Sequence, residues 1–167
     1  MNYIYHSAPD LMVGNELMPL NFMKDKYPEL YNFHASKYEG RKEIMKRKIT
    51  LLNCLWNHVI QFLPLNPIKV FELQIQLGII EELPNLKFYE VDPIFLDNDK
   101  TIIYLKSAPG EENIKFKWIK NVNLADFQQI PTTTINYYKT LQGTGELPFN
   151  YQFIPHILYM GTIDAYR

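Results

Sequence analysis

His58-Val59-Ile60-Gln61-Phe62-Leu63, then Asn66-Pro67, then Val70, Leu73, Leu77 and Gly78: this stretch decides the fold class. The first six residues carry no Asp, Glu, Lys or Arg and are rich in β-branched and aromatic types, which predicts a buried strand. Asn66-Pro67 is a helix start, because proline suits the first helical position and asparagine can cap it. Val70, Leu73 and Leu77 share one face of a helix over 67–77, and Gly78 supplies the residue that leaves it. A strand thus runs straight into a helix.

Working outward, residues 2–6 (N-Y-I-Y-H) form a β-type run closed by the turn cluster Ser7-Ala8-Pro9-Asp10. Val13-Gly14-Asn15 signals a second turn, and residues 19–39, with two prolines, predict a long connection holding one helical turn. Residues 41–57 predict a helix, with Ile44, Met45, Lys48, Leu52, Leu55 and Trp56 near helical spacing. Its first half, Arg41 to Lys48, is basic and reads as a solvated face ahead of an anion site. Downstream, residues 86–91, 101–106 and 114–119 predict strands, with the turn Asp97-Asn98-Asp99 between the first two. Residues 132–141 predict a helix capped by a threonine, 142–148 a loop, and 151–163 one or two closing strands. Strands stand first and last, helices between, without βαβα alternation. The expected fold is a single α+β domain over 1–167 with a mixed or antiparallel sheet and flanking helices.

Composition narrows function by exclusion. The 167 residues hold 17 Lys+Arg against 18 Asp+Glu, so no net basic field awaits duplex DNA or anionic lipid. An apolar share of 47% against 21% charged excludes global disorder. Cys54 is the sole cysteine, which excludes an internal disulfide framework, and its neighbours Leu51, Leu52, Leu55 and Trp56 predict a small buried hydrophobe. Residues 1–7 lack the pattern of a signal peptide. Residues 49–68 carry no Asp, Glu, Lys or Arg, yet their amides and two prolines predict a protein interior, not a membrane span. The expected setting is soluble and cytoplasmic, with no membrane partner. No phosphate loop, dinucleotide fingerprint, zinc-protease or nucleophile-elbow motif occurs. The four histidines, His6, His34, His58 and His156, share no metal-ligand spacing.

Four segments, in order, carry a resemblance. Tyr5-His6-Ser7, then Asp10-Leu11-Met12-Val13-Gly14-Asn15-Glu16-Leu17 and Pro19, resembles the opening of the small rifampicin-inactivating ADP-ribosyltransferases, Y-H-G-T then D-L-x-x-G-D-x-[LI]-x-P. Val59 to Leu63 with the helix from Pro67 is similar to that family's second strand and helix. Phe88-Tyr89-Glu90-Val91-Asp92-Pro93 resembles its Y-V-V-E-P strand, and Asp97-Asn98-Asp99 its acidic turn. Residues 154–164 are similar to its closing E-P-L-R-V-V-G-E-V-T-D strand.

The resemblance implies an ADP-ribosyltransferase-like fold that uses NAD⁺ and passes ADP-ribose to an unidentified macromolecule or small molecule. NAD⁺ cleavage develops an oxocarbenium-like cation, so such a site needs ribose positioning, nicotinamide stacking and a nearby carboxylate. By the resemblance, His6 and Ser7 hold the ribose, and Gln61 or Phe62 stands where the family stacks a tyrosine on nicotinamide. Asp97 or Asp99 supplies the catalytic carboxylate, with Glu146 a second candidate. The chain departs from the family in lacking that tyrosine hydroxyl and in reading H-S-A for H-G-T. The alternative expectation is a domain of the same fold that binds a nucleotide or nucleic acid without catalysis. A third is an unrelated α+β protein.

Overall fold

A computed structural model describes residues 1–9 and 14–165. Asp10, Leu11, Met12 and Val13, part of the opening block of the resemblance, lie outside the described residues. In chain order the elements are β1 (Ile4–Ser7), β2 (Glu16–Leu17), α1 (Leu20–Lys26), α2 (Pro28–Ala35), β3 (Lys48–Ile49), β4 (Cys54–Leu55) and β5 (Ile60–Phe62). Then come α3 (Pro67–Gln76), β6 (Phe88–Val91), β7 (Thr101–Lys106), β8 (Ile114–Trp118), α4 (Thr132–Leu141), β9 (His156–Tyr159) and β10 (Ile163–Asp164). The chain mixes helices with antiparallel strands, as an α+β fold does.

Four strands pair in the order β5-β9-β7-β8, each neighbour antiparallel. β1 pairs antiparallel with β6. One reciprocal pair of hydrogen bonds, Tyr5 N–H to the Leu63 carbonyl (2.9 Å) and Leu63 N–H to the Tyr5 carbonyl (2.8 Å), joins the two sheets. The sequence predicts one sheet; the structure divides the segments near Tyr5, Leu63, Phe88 and His156 between a two-stranded and a four-stranded antiparallel sheet that meet at this bridge.

Strand neighbours face opposite sides, and each side has its own core. Ile4, Ile60, Phe62, Val91, Ile157 and Tyr159 pack together on one face. Trp56, Val59, Ile102, Tyr104 and Leu158 pack on the other, continued by Leu63, Leu65, Val70, Tyr138 and Ile154. Each fully buried aliphatic or aromatic side chain stabilises by roughly 1.5–3 kcal/mol. The sheet is thus held from both sides.

α3 forms as the sequence dictates. Asn66 Oδ1 accepts from the Ile68 N–H (3.0 Å), and Pro67, Val70, Phe71 and Gln74 make the buried stripe. Gly78 follows with φ 69°, a conformation that an L side chain resists. α4 begins at Thr132, but no threonine side chain caps it; Pro131 holds the N-cap position.

The structure corrects the helix expected over 41–57. Residues 42–46 make a 3-10 turn, and β3 and β4 form a tight hairpin with Ile49 opposite Cys54. Asn53 takes φ 48° and donates its N–H to the Thr50 carbonyl (3.2 Å), so the chain reverses there. Leu52 and Trp56 are buried but Leu51 is exposed, so the apolar positions come from a hairpin and not from one helical face. The connection expected over 19–39 is instead two helices, α1 and α2. Cys54 is buried, and burial pushes its thiol pKa up, away from reactivity.

Polar groups tie α3 and α4 to the segment before β9. Gln74 Nε2 donates to Asn150 Oδ1 (3.2 Å), Thr134 Oγ1 to the Gln152 carbonyl (2.8 Å), and the Tyr138 hydroxyl to the Asn150 carbonyl. Burial pushes the Tyr138 pKa up to about 12. Tyr138→Phe strips this carbonyl of its donor inside the core, so it should destabilise by about 1–3 kcal/mol with the fold kept. Urea denaturation at pH 7 measures it.

Candidate functional site

His6 sits where β1 and β5 part. After the Tyr5–Leu63 pair, its imidazole Nδ1–H donates to the Gln61 carbonyl (2.8 Å), in place of the next backbone bond. A carbonyl can only accept, so the bond fixes the Nδ1–H tautomer and leaves Nε2 as an acceptor when the ring is neutral. The Phe62 ring lies 5.5 Å away at 56°, holding the imidazole in place. Burial lowers the His6 pKa, the Gln61 bond raises it, and the Lys37 charge lowers it, with a net fall. His6 is neutral at pH 7.

A cavity of about 50 Å³ opens at this ring, lined by His6, Ser7, Glu16, Met23, Leu30 and His34 among others, with Glu16 its one carboxylate among the described residues. It admits a few waters at most, so a nucleotide requires it to open. Its roof is the α1–α2 pair, and neither helix contains a fully buried residue. Few buried apolar contacts mean low local stability, so this cover is able to lift. His34 belongs to the same site: burial, Lys37 and His6 together lower its pKa. The sequence offered a signal for this residue, since Leu30 and His34 stand four apart, on one face of α2. The two prolines of residues 19–39, which predict a connection, mask that spacing.

Of the other expected residues, Ser7 lines this cavity beside His6 and the rest fall elsewhere. Ser7 ends β1, exposed, opposite Phe88. Phe62 is 1% exposed within the core cluster of Ile4, Ile60 and Ile157, so its face is not open to a ligand. Gln61 points to the opposite side of the sheet from Phe62, and its Nε2 donates to the Trp56 and Val59 carbonyls (3.3 and 3.4 Å). Asp97 caps a turn, accepting from the Asp99 N–H (2.9 Å), and Asp99 pairs with Lys120 (2.7 Å). That lysine, by hydrogen bond and charge, holds the Asp99 pKa down. Both acids precede β7, at the same end of the sheet as His6 but three strand spacings across it, about 14 Å. Neither lines the cavity. Glu146 is exposed in the 142–148 loop, its N–H bonded to Thr144 Oγ1 (3.1 Å). The basic run is partly occupied: Arg47 lies over the Trp56 and Tyr104 rings and pairs with Glu111 (2.9 Å).

Among the described residues, no group of three or more His, Cys, Asp or Glu is placed to hold a metal ion. Nor is any helix among them long and apolar enough to cross a membrane. What the fold and the cavity define is an α+β protein with a strand-end histidine beneath a two-helix cover. No family model, curated protein or solved structure matches the chain.

Proposed function

We propose that the chain binds NAD⁺ at His6, as a member of the ADP-ribosyltransferase-like α+β proteins that holds the dinucleotide without transferring ADP-ribose. One observation carries the proposal: the Gln61 carbonyl takes His6 Nδ1–H, so Nε2 stays free to accept from a ribose hydroxyl. Opening of the α1–α2 cover supplies the room. The reading without transfer is supported by Phe62, whose ring is spent in the core, and by Asp97 and Asp99, which stand across the sheet from the cavity. A transferase remains the second proposal, favoured by the position of both acids at the His6 end of the sheet.

Calorimetric titration tests NAD⁺ binding, and NAD⁺ glycohydrolase activity separates the two proposals. His6→Ala should weaken binding at least about tenfold while the protein stays folded, as loss of one hydrogen bond left unmade predicts. Asp99→Asn breaks only an exposed ion pair and should leave both NAD⁺ affinity and the thermal midpoint unchanged. NAD⁺ glycohydrolase activity in the wild type, lost in Asp97→Asn or Asp99→Asn, would establish the transferase instead. Unchanged affinity in folded His6→Ala removes the histidine from the site.

A further inference from the structure

The opposite face of β1 carries a second, larger opening. Tyr5 and Glu90 face each other across the β1–β6 pair, and Phe88, two residues on, shares their side. With Phe71, Pro67 and Pro84 they line a groove of about 360 Å³, the size of small-molecule sites. Leu83 and Leu86, each about half exposed, lie along its rim. Three aromatic rings and one carboxylate therefore converge on one space.

The charge of its ligand can be decided from the groups present. α3 begins at the groove, and a helix start ordinarily favours anions. Here its donors are already used. Pro67 has no N–H, the Ile68 N–H donates to Asn66 Oδ1 (3.0 Å), and the Lys69 N–H to the Asn66 carbonyl (3.1 Å). The Lys69 ammonium is drawn away to the Gln128 carbonyl (3.1 Å). The helix end offers roughly half a positive charge, against the full negative charge of Glu90. Glu90 stands opposite Tyr5 across the strand pair and is the charged side chain in the lining. The balance is negative.

From this the geometry points to a binding site for a small organic cation, an alkylated or quaternary ammonium group seated against Tyr5, Phe71 and Phe88 with Glu90 as its counter-charge. Aromatic faces attract a cation through their quadrupole, and a quaternary ammonium, weakly hydrated, loses little by leaving water. The site is separate from the His6 cavity, on the other side of the sheet, and does not depend on NAD⁺ binding.

Choline and its uncharged carbon analogue, 3,3-dimethylbutan-1-ol, test this by NMR titration of the full chain. Choline should shift the Tyr5 and Phe88 resonances with a Kd on the order of 1 mM or tighter, and the neutral analogue should bind at least about tenfold more weakly. Glu90→Gln, at an exposed position, should weaken choline roughly tenfold while leaving the neutral analogue unaffected. Equal binding of the two probes, no binding of choline, or an unchanged choline affinity in folded Glu90→Gln would overturn the proposal. Should that variant fail to fold, the comparison of the two probes on the wild type decides.

Discussion

Phe62→Ala is expected to destabilise the protein by about 3–5 kcal/mol, the largest effect of any single substitution considered. Its ring is 1% exposed and sits among Ile4, Ile60 and Ile157, so truncation leaves a cavity that β5, held between β1 and β9, cannot close. Gln61→Ala, one residue away, removes two long hydrogen bonds at a half-buried site and should cost about 1 kcal/mol or less. Urea denaturation of both variants, with NAD⁺ glycohydrolase activity followed in parallel, measures the contrast. Loss of stability in Phe62→Ala makes the residue structural. Retained stability with lost turnover would make it a stacking platform and revive the transferase.

Stability should also fall steeply as pH is lowered from about 6.5 to 4. His156 is half-buried between Tyr104 and Tyr151, and its Nδ1–H donates to the Ile154 carbonyl (2.8 Å). Burial outweighs that bond and takes its pKa down to about 4. Between that value and the ordinary 6.5, the unfolded chain binds a proton that the folded chain refuses. Stability from this residue is therefore complete above 6.5 and lost as pH falls through about 4, a change on the order of 3 kcal/mol. His6 and His34, also lowered, act in the same direction. His156→Asn keeps a donor near the same place but cannot titrate there. Unfolding free energies at pH 7 and pH 4.5 should show the wild type losing more than the variant. Equal losses would mean that His156 is charged in the folded protein.

What was legible in the sequence follows from how local each signal is. Asn66-Pro67 and Gly78 bound α3 because capping and positive φ are local chemistry, and they hold in the structure. β7 spans Thr101–Lys106 as expected, since its apolar run needs no partner to be recognised. Residues 41–57 misled because Leu52, Leu55 and Trp56 satisfy helical spacing while Asn53, in the left-handed region, folds the chain back. Periodicity cannot see that turn. The site was less legible than the fold. His6 at the end of β1 was readable, but His34 above it depends on α2 folding back over β1. The sidedness of Gln61 and Phe62 depends on which face of β5 is packed by Ile4 and Ile157, a tertiary fact. Asp97 and Asp99 lie near a strand start in sequence, and only the strand order places two strands between β7 and β1.

The most direct test of NAD⁺ binding at His6 is the imidazole itself, observed by ¹⁵N NMR with His34→Gln used to assign the signals. Free protein at pH 7 should show His6 as the neutral Nδ1–H tautomer, with Nε2 at the position of an unprotonated acceptor. Saturating NAD⁺ should move the Nε2 resonance toward that of a hydrogen-bonded acceptor while Nδ1, held by the Gln61 carbonyl, stays in place. A His6 Nε2 resonance unmoved at saturating NAD⁺, or an Nε2–H tautomer in the free protein, would contradict the proposal.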